Sequence, residues 1–221
     1  MKKITREKAK KNTKETVLFG LLAGLLIAGK EMLSLIPNVE IVTVLLIVYA
    51  MTFGLKALYP TYVFVLAEIF MYGIGMWAVG YLYAWGLLVL VVCLLKKRGI
   101  IRDVTERHYG LKECGDKNAV GFGDELGDKN AEECGKVSED KKSNVRDLIV
   151  PIVVAAFFGL MFGAMSAVPM IFVGGMASAV SYFISGIPFD IAHCVGNAVT
   201  TFVLYRPLMK IMQRVNPWGQ G

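Results

Sequence analysis

The sequence predicts an all-α membrane protein with six transmembrane helices and a structured outer loop between helices 5 and 6. Hydrophobic residues occupy 55% of the 221 positions, and the mean hydropathy is +0.54. Two stretches, 69–95 and 148–189, contain no charged residue over 27 and 42 positions. A soluble fold needs charge along one face of most elements, whereas about 20 apolar residues cross the hydrocarbon core as one helix. These stretches therefore indicate membrane-spanning helices.

The basic residues predict how the helices are oriented. Of the 24 Lys and Arg residues, seven precede residue 17, twelve lie in 96–146 and three follow residue 205. The connections expected on the other side of the membrane, 36–40, 74–79 and 169–188, have none. Because basic residues mark cytoplasmic segments, both termini and the large polar loop are expected in the cytoplasm. The net charge of +6 is explained in this way, so we expect contact with lipid and no nucleic-acid partner.

The first half of the chain begins with a basic tail, 1–16, and residues 17–95 are expected to form helices 1 to 4. The Lys-rich start lacks a small-residue cleavage site, so the first helix is interpreted as retained rather than as a signal peptide. Pro37-Asn38 is a turn signal after helix 1, Pro60 opens helix 3, and the basic run at Lys96 ends helix 4. The four expected helices are 17–36, 41–58, 61–74 and 79–95.

The polar stretch 96–147 contains two near-duplicate segments, 115–119 and 127–131, both reading Gly-Asp-Lys-Asn-Ala. Its Gly- and charge-rich composition cannot bury enough apolar area to offset the entropy of ordering. We therefore predict a mostly disordered cytoplasmic insert, with a regulatory or docking role as the lesser possibility.

The last part of the chain, 148–212, is expected to hold helices 5 and 6 at 148–168 and 189–212, followed by a cytoplasmic tail over 213–221. Residues 169–188 are apolar but rich in Gly and Ser, and they form either a seventh helix or an outer loop with one short helix. Seven spans would put the basic residues after 205 outside, so the outer loop is preferred.

Polar residues predict a binding site at the outer face. Asp190, His193 and Asn197 have spacings of three and four, which stack them on one face of the last helix. Glu40 lies just after the predicted turn at Pro37-Asn38, on the outer side of the predicted helix bundle. Because a polar face in lipid needs a partner or a cavity, these residues are predicted to line a solute pocket, the alternative being helix capping with a polar interhelical contact.

Aromatic residues surround the outer turn between helices 3 and 4, with Trp77, Tyr81 and Trp85 at helical spacing. They form either an interfacial belt or walls that stack on a planar ligand. Small residues four apart form two stripes, Gly20-Gly24-Ala28 in helix 1 and a second from Gly159 in helix 5. Such stripes allow close helix approach, either within the chain or to a partner subunit.

Several functional classes have no support in the sequence. There is no Walker motif, nucleophile elbow or HExxH pattern, so we expect no enzyme activity. The four Cys residues form no CxxC pattern, and with only two His residues neither a metal site nor a cofactor is expected.

The segments Ile-Pro-Asn-Val-Glu at 36–40, Ser-Gly-Ile-Pro-Phe-Asp-Ile-Ala-His at 185–193 and Tyr-Arg-Pro-Leu at 205–208 resemble the substrate-specific (S) components of energy-coupling factor (ECF) transporters. The resemblance covers nearly the whole chain apart from 96–147, an insert longer than expected for that family. It implies a bacterial plasma-membrane protein that captures a water-soluble vitamin or vitamin precursor outside and topples in the membrane to release it inside.

The same resemblance implies roles for particular residues. The solute would contact Glu40, Asp190, His193 and Asn197 between aromatic walls, with 169–188 as a lid. Small residues of helix 1, here Gly20, Gly24 and Ala28 in place of the family's Ala-xxx-Ala, would dock on a transmembrane coupling subunit that carries two ATPases.

Two other functions fit parts of the pattern. An ion-coupled secondary transporter would use Glu68, Asp190 and His193 as a relay, although internal repeats typical of that class are not found. A non-transporting membrane scaffold or an intramembrane enzyme would bind no transported solute.

Overall fold

A computed structural model of the chain describes residues 2–34, 39–101 and 141–215, and every regular element in these ranges is helical. The helices are α1 (Lys2–Leu33), α2 (Val42–Phe53), α3 (Leu58–Tyr72), α4 (Met76–Lys97), α5 (Lys141–Ala167) and α6 (Met170–Val215), with a 3₁₀ turn (Gly54–Ala57) between α2 and α3. The all-α prediction is confirmed. The predicted turn at Pro37-Asn38, most of the predicted insert and residues 216–221 lie outside the described residues.

The described helices include five stretches that are long and apolar enough to cross a membrane. They are Asn12–Leu33, Val42–Tyr72, Met76–Lys97, Asp147–Ala167 and Met170–Val215. Large apolar side chains such as Leu21 (68% exposed) and Phe70 (91% exposed) point away from the bundle, as expected for surfaces that face lipid. The prediction of a multi-pass membrane protein is confirmed at this level.

Contacts along α1 show that α3 runs parallel to it. Glu15 pairs with Lys56, just before α3, and Lys30 pairs with Glu68, near the end of α3. Glu15 and Lys30 are 15 residues apart, or about 22 Å along a helix, so the two pairs lie at opposite ends of the bundle. We call the end that holds Lys30 the site end and the end that holds Lys56 the basic end.

α2 runs in the opposite direction, from the site end to the basic end. Glu40, just before α2, lines the same cavity as Lys30, whereas the Met51 carbonyl near its C-terminus accepts a hydrogen bond from Lys96. The chain reverses at Gly54, whose φ of 60° is one that residues with a Cβ rarely adopt. Val42–Tyr72 is therefore two antiparallel helices.

The core of the bundle is built around α2. All ten residues from Val42 to Met51 are buried, because α2 packs against α4, α6, α5 and α1. The Tyr49 hydroxyl, which is fully buried, donates a hydrogen bond to the Leu22 carbonyl of α1 (3.2 Å). A helix enclosed on every side explains why this segment is almost entirely apolar.

The predicted outer loop at 169–188 is not confirmed. α6 contains non-helical backbone angles at Gly174 and Gly175, the latter with φ of 72°, and the helix then continues from residue 176 past Pro188 to its end. An apolar segment next to a membrane satisfies its backbone groups best as a helix, and this requirement outweighs the loop-like Gly and Ser content. Most residues of 170–189 are exposed.

Candidate functional site

A cavity of about 500 Å³ opens at the site end of the bundle. Residues from α1, α4, α5, α6 and the segment before α2 line it. Its ionisable lining residues, apart from tyrosines, are Lys30, Glu40, Asp190 and His193, and its aromatic ones are Tyr81, Phe162, Tyr182 and Phe189. The volume lies in the range of small-molecule sites, which combine apolar walls with a few placed polar groups.

Glu40 and His193 connect two segments of the chain that are far apart in sequence. Glu40 Oε1 lies 3.0 Å from His193 Nε2 and accepts a hydrogen bond from the Thr43 hydroxyl (2.8 Å) in the first turn of α2. One turn below His193, Asn197 Nδ2 donates to Thr43 Oγ1 (3.3 Å) and to the Ala155 carbonyl (3.5 Å). The network holds the polar face of α6 against α2 and α5.

Asp190 approaches α5 closely because α5 has a glycine at that point. The Gly163 N–H donates to Asp190 Oδ1 (2.9 Å), and a Cβ on Gly163 would overlap the carboxylate. A Cβ on Gly159, one turn earlier, would lie 2.9 Å from the backbone of His193 and Cys194. The small-residue stripe of α5 is therefore used for packing within the chain.

The predicted aromatic residues form a chain of edge-to-face contacts behind the cavity. Ring centroids are 5.2 Å apart for Trp77 and Tyr81, 5.5 Å for Tyr81 and Trp85, and 5.2 Å for Phe162 and His193. Of the three residues predicted from sequence, Tyr81 lines the cavity. Trp85 is 3% exposed and lies deeper, and Trp77 supports Tyr81 from the side.

Beneath the cavity is a second space of about 10 Å³, with Glu40, Trp85, His193 and Asn197 in its lining. Trp85 Nε1 and Asn197 Oδ1 are buried there, and neither has a hydrogen-bond partner among the described residues. One is a donor and the other an acceptor. The floor of the site therefore has unused hydrogen-bonding capacity, in a space close to the minimum for one water molecule.

Lys30 was not among the site residues predicted from sequence. Its ammonium forms an ion pair with Glu68, whose side chain is completely buried, and lies 4.9 Å from the Tyr72 ring centroid and 5.5 Å from that of Tyr81. A single cation in an apolar helix is a functional signal in its own right, and it could have identified Lys30. Glu68, the candidate relay carboxylate, is engaged in this pair.

Sequence reasoning also missed the remaining polar and aromatic residues that line the cavity, which come from the end of α1, from α5 and from α6. They are Ser34, Phe162, Ser166, Tyr182, Ser185 and Phe189. Phe162 lies beside the stripe glycine of α5, and Tyr182 and Ser185 lie in the segment predicted as a loop. That segment lines the cavity as part of α6, and its role as a lid stays a prediction.

The small-residue stripe of α1 differs from that of α5. Gly20, Gly24 and Ala28 are all exposed, and a Cβ on either glycine would have no atom within 4 Å. No described part of this chain packs closely on the stripe at those two glycines, so its docking role stays a prediction.

No protein-family profile, curated protein or solved structure matches the chain. The geometry of the site and the residues that form it therefore carry the functional interpretation.

Proposed function

We propose that this protein is the substrate-specific component of an ECF-type importer, which captures a water-soluble vitamin or vitamin precursor outside the cell. One observation carries the proposal: carboxylates, an imidazole, hydroxyls and aromatic rings converge on a cavity of about 500 Å³ at the end of the bundle opposite the basic end. A scaffold protein would have no need of such a cavity in its bundle.

The proposed topology has six spans with both termini in the cytoplasm. Because α2 and α3 run in opposite directions, Val42–Tyr72 is expected to cross the membrane twice. The five apolar stretches then account for six crossings. The basic end then faces the cytoplasm, in accord with the distribution of Lys and Arg. The cavity faces outward.

The sequence has no nucleotide-binding motif, so under this proposal other subunits supply the energy for release. The exposed stripe of Gly20, Gly24 and Ala28 supports close approach of a helix from a transmembrane coupling subunit. Two ATPase subunits bound to that partner would supply the hydrolysis. Solute binding and partner docking thus lie on different parts of the molecule.

The test begins with the purified full chain in detergent, denatured to release any bound solute for identification by mass spectrometry. We expect a stoichiometric small molecule, and we expect Asp190→Ala to lose it while Glu15→Ala, at the basic end and outside the cavity, retains it. The wild-type chain should also copurify with a membrane coupling subunit and two ATPases from its native cells.

An empty protein that is indifferent to a panel of vitamins in thermal-shift assays would contradict the proposal. Uptake that follows an ion gradient and needs no ATPase would instead support the ion-coupled transporter.

A further inference from the structure

We infer that the solute carries a positive charge, as a protonated amine or a cationic heteroaromatic ring, and that Asp190 and Glu40 are its counter-charges. This inference rests on the proposed function and specifies the chemical class of the substrate.

The first step is the charge balance of the cavity. Among the described residues that line it, the groups that carry or can carry charge near neutral pH are Lys30, Glu40, Asp190 and His193. The Lys30 charge is balanced by its ion pair with Glu68. A protonated His193 would balance Glu40, its partner at 3.0 Å, and would leave one carboxylate in excess; a neutral His193 would leave two. With both carboxylates ionised, the cavity is net negative in both protonation states of His193.

The second step is the cost of leaving that charge unbalanced. Asp190 is only 5% exposed, and among the described residues its carboxylate accepts one hydrogen bond, from the Gly163 N–H to Oδ1. A buried carboxylate is stable when it is paired and its lone pairs are satisfied. A cation supplied by the solute would provide the missing partner.

The third step is the availability of acceptors. Thr43 and His193 both contact Oε1 of Glu40, so the second oxygen of Glu40, like Oδ2 of Asp190, has no hydrogen-bond partner among the described residues. A protonated amine offers up to three N–H donors and fits two carboxylate oxygens directly.

The walls and floor favour an organic cation over a bare ion. Tyr81, Phe162 and Tyr182 present rings to the cavity, and aromatic faces attract cations. Below them, Trp85 Nε1 and Asn197 Oδ1 are buried and have no hydrogen-bond partner in the described part of the chain, which suits a solute with a polar group at its inner end. No cluster of three or more potential metal ligands occurs among the described residues.

The experiment measures binding of probes that differ in charge to the full chain in nanodiscs, by isothermal titration calorimetry. Thiamine and pyridoxamine serve as cations, riboflavin as a neutral ring system, and biotin and pantothenate as anions. We expect at least one cationic probe to bind. Binding of the neutral and anionic probes should be about 100-fold weaker or undetectable.

Asp190→Asn keeps the shape of the side chain and an acceptor for the Gly163 N–H but removes the charge. It should weaken binding of the cationic probe by about 10- to 100-fold, which is the range for the loss of a hydrogen bond to a charged group. Glu15→Gln, the same carboxylate-to-amide change at the basic end and outside the cavity, is the matched control and should alter affinity by less than about threefold.

The outcomes separate this inference from the proposed function. Tight binding of a neutral or anionic probe alone, or a cationic probe whose affinity is unchanged by Asp190→Asn, would overturn the inference and leave solute capture standing. Failure of every probe, together with no copurified solute, would overturn both.

Discussion

The ion pair between Lys30 and Glu68 gives a prediction of stability that does not depend on function. Lys30→Met removes the ammonium and keeps an unbranched side chain of similar length. It leaves the Glu68 carboxylate, whose side chain is 0% exposed, without a partner among the described residues. Breaking one side of a buried ion pair costs about 3–5 kcal/mol, because the remaining charge is uncompensated.

That free energy corresponds to a large change in melting temperature. For chains of about 150–250 residues, 1 kcal/mol shifts Tm by about 2–4 °C, so Lys30→Met should lower Tm by about 6–20 °C. Intrinsic tryptophan fluorescence during heating in detergent, at one scan rate for all variants, measures the shift.

Two further variants sharpen the test. Glu68→Gln should cost less than Lys30→Met, because the remaining Lys30 side chain is 26% exposed at the cavity and its ammonium can be hydrated. The double variant Lys30→Met/Glu68→Met should recover most of the loss, since an apolar pair can replace a buried ion pair at little cost. A Lys30→Met protein that melts with the wild type, or a double variant no more stable than Lys30→Met alone, would refute the reasoning.

Two other predictions concern the stripes and the orientation. Gly24→Leu should leave Tm within about 2 °C of wild type, because no atom lies near a Cβ at this position. Gly159→Leu should lower the free energy of unfolding by several kcal/mol, because its side chain would overlap with the α6 backbone. Equal Tm values for the two variants would contradict the assignment of the α5 stripe to packing. In cells that express a cysteine-free background, Ile74→Cys (a position 89% exposed) should react with an impermeant maleimide in intact cells. Arg98→Cys, at the exposed C-terminus of α4, should react only after permeabilisation, and the reverse pattern would invert the proposed topology.

Residue pattern predicted the polar face of α6 but not the partners of each side chain. The spacing of Asp190, His193 and Asn197 puts them on one face of any helix. In the structure they lie on one buried face of α6. Their partners, such as the backbone of Gly163 and the side chains of Glu40 and Thr43, come from segments up to 154 residues away. A local sequence pattern cannot predict contacts between residues that are so far apart in the chain.

The interpretation of 169–188 as a loop failed for a specific physical reason. Gly174 and Gly175 do interrupt the helix, so the Gly-rich composition correctly indicated a break at this point. Pro188 directly precedes the predicted start of the last helix at residue 189, but in the structure it lies inside that helix. The demand that backbone groups be satisfied beside a membrane outweighed the local preferences of Gly, Ser and Pro.

The sequence by itself determined that this chain is a helical membrane protein, because hydrocarbon solvates neither charge nor unpaired backbone groups. It also predicted that most basic residues lie on one side of the membrane. It also marked a polar face on the last helix. Only the tertiary structure decided that α2 is the enclosed centre of the bundle, that the α5 stripe packs inside the chain while the α1 stripe stays exposed, and that Lys30 is neutralised by Glu68. Those outcomes depend on which helices become neighbours.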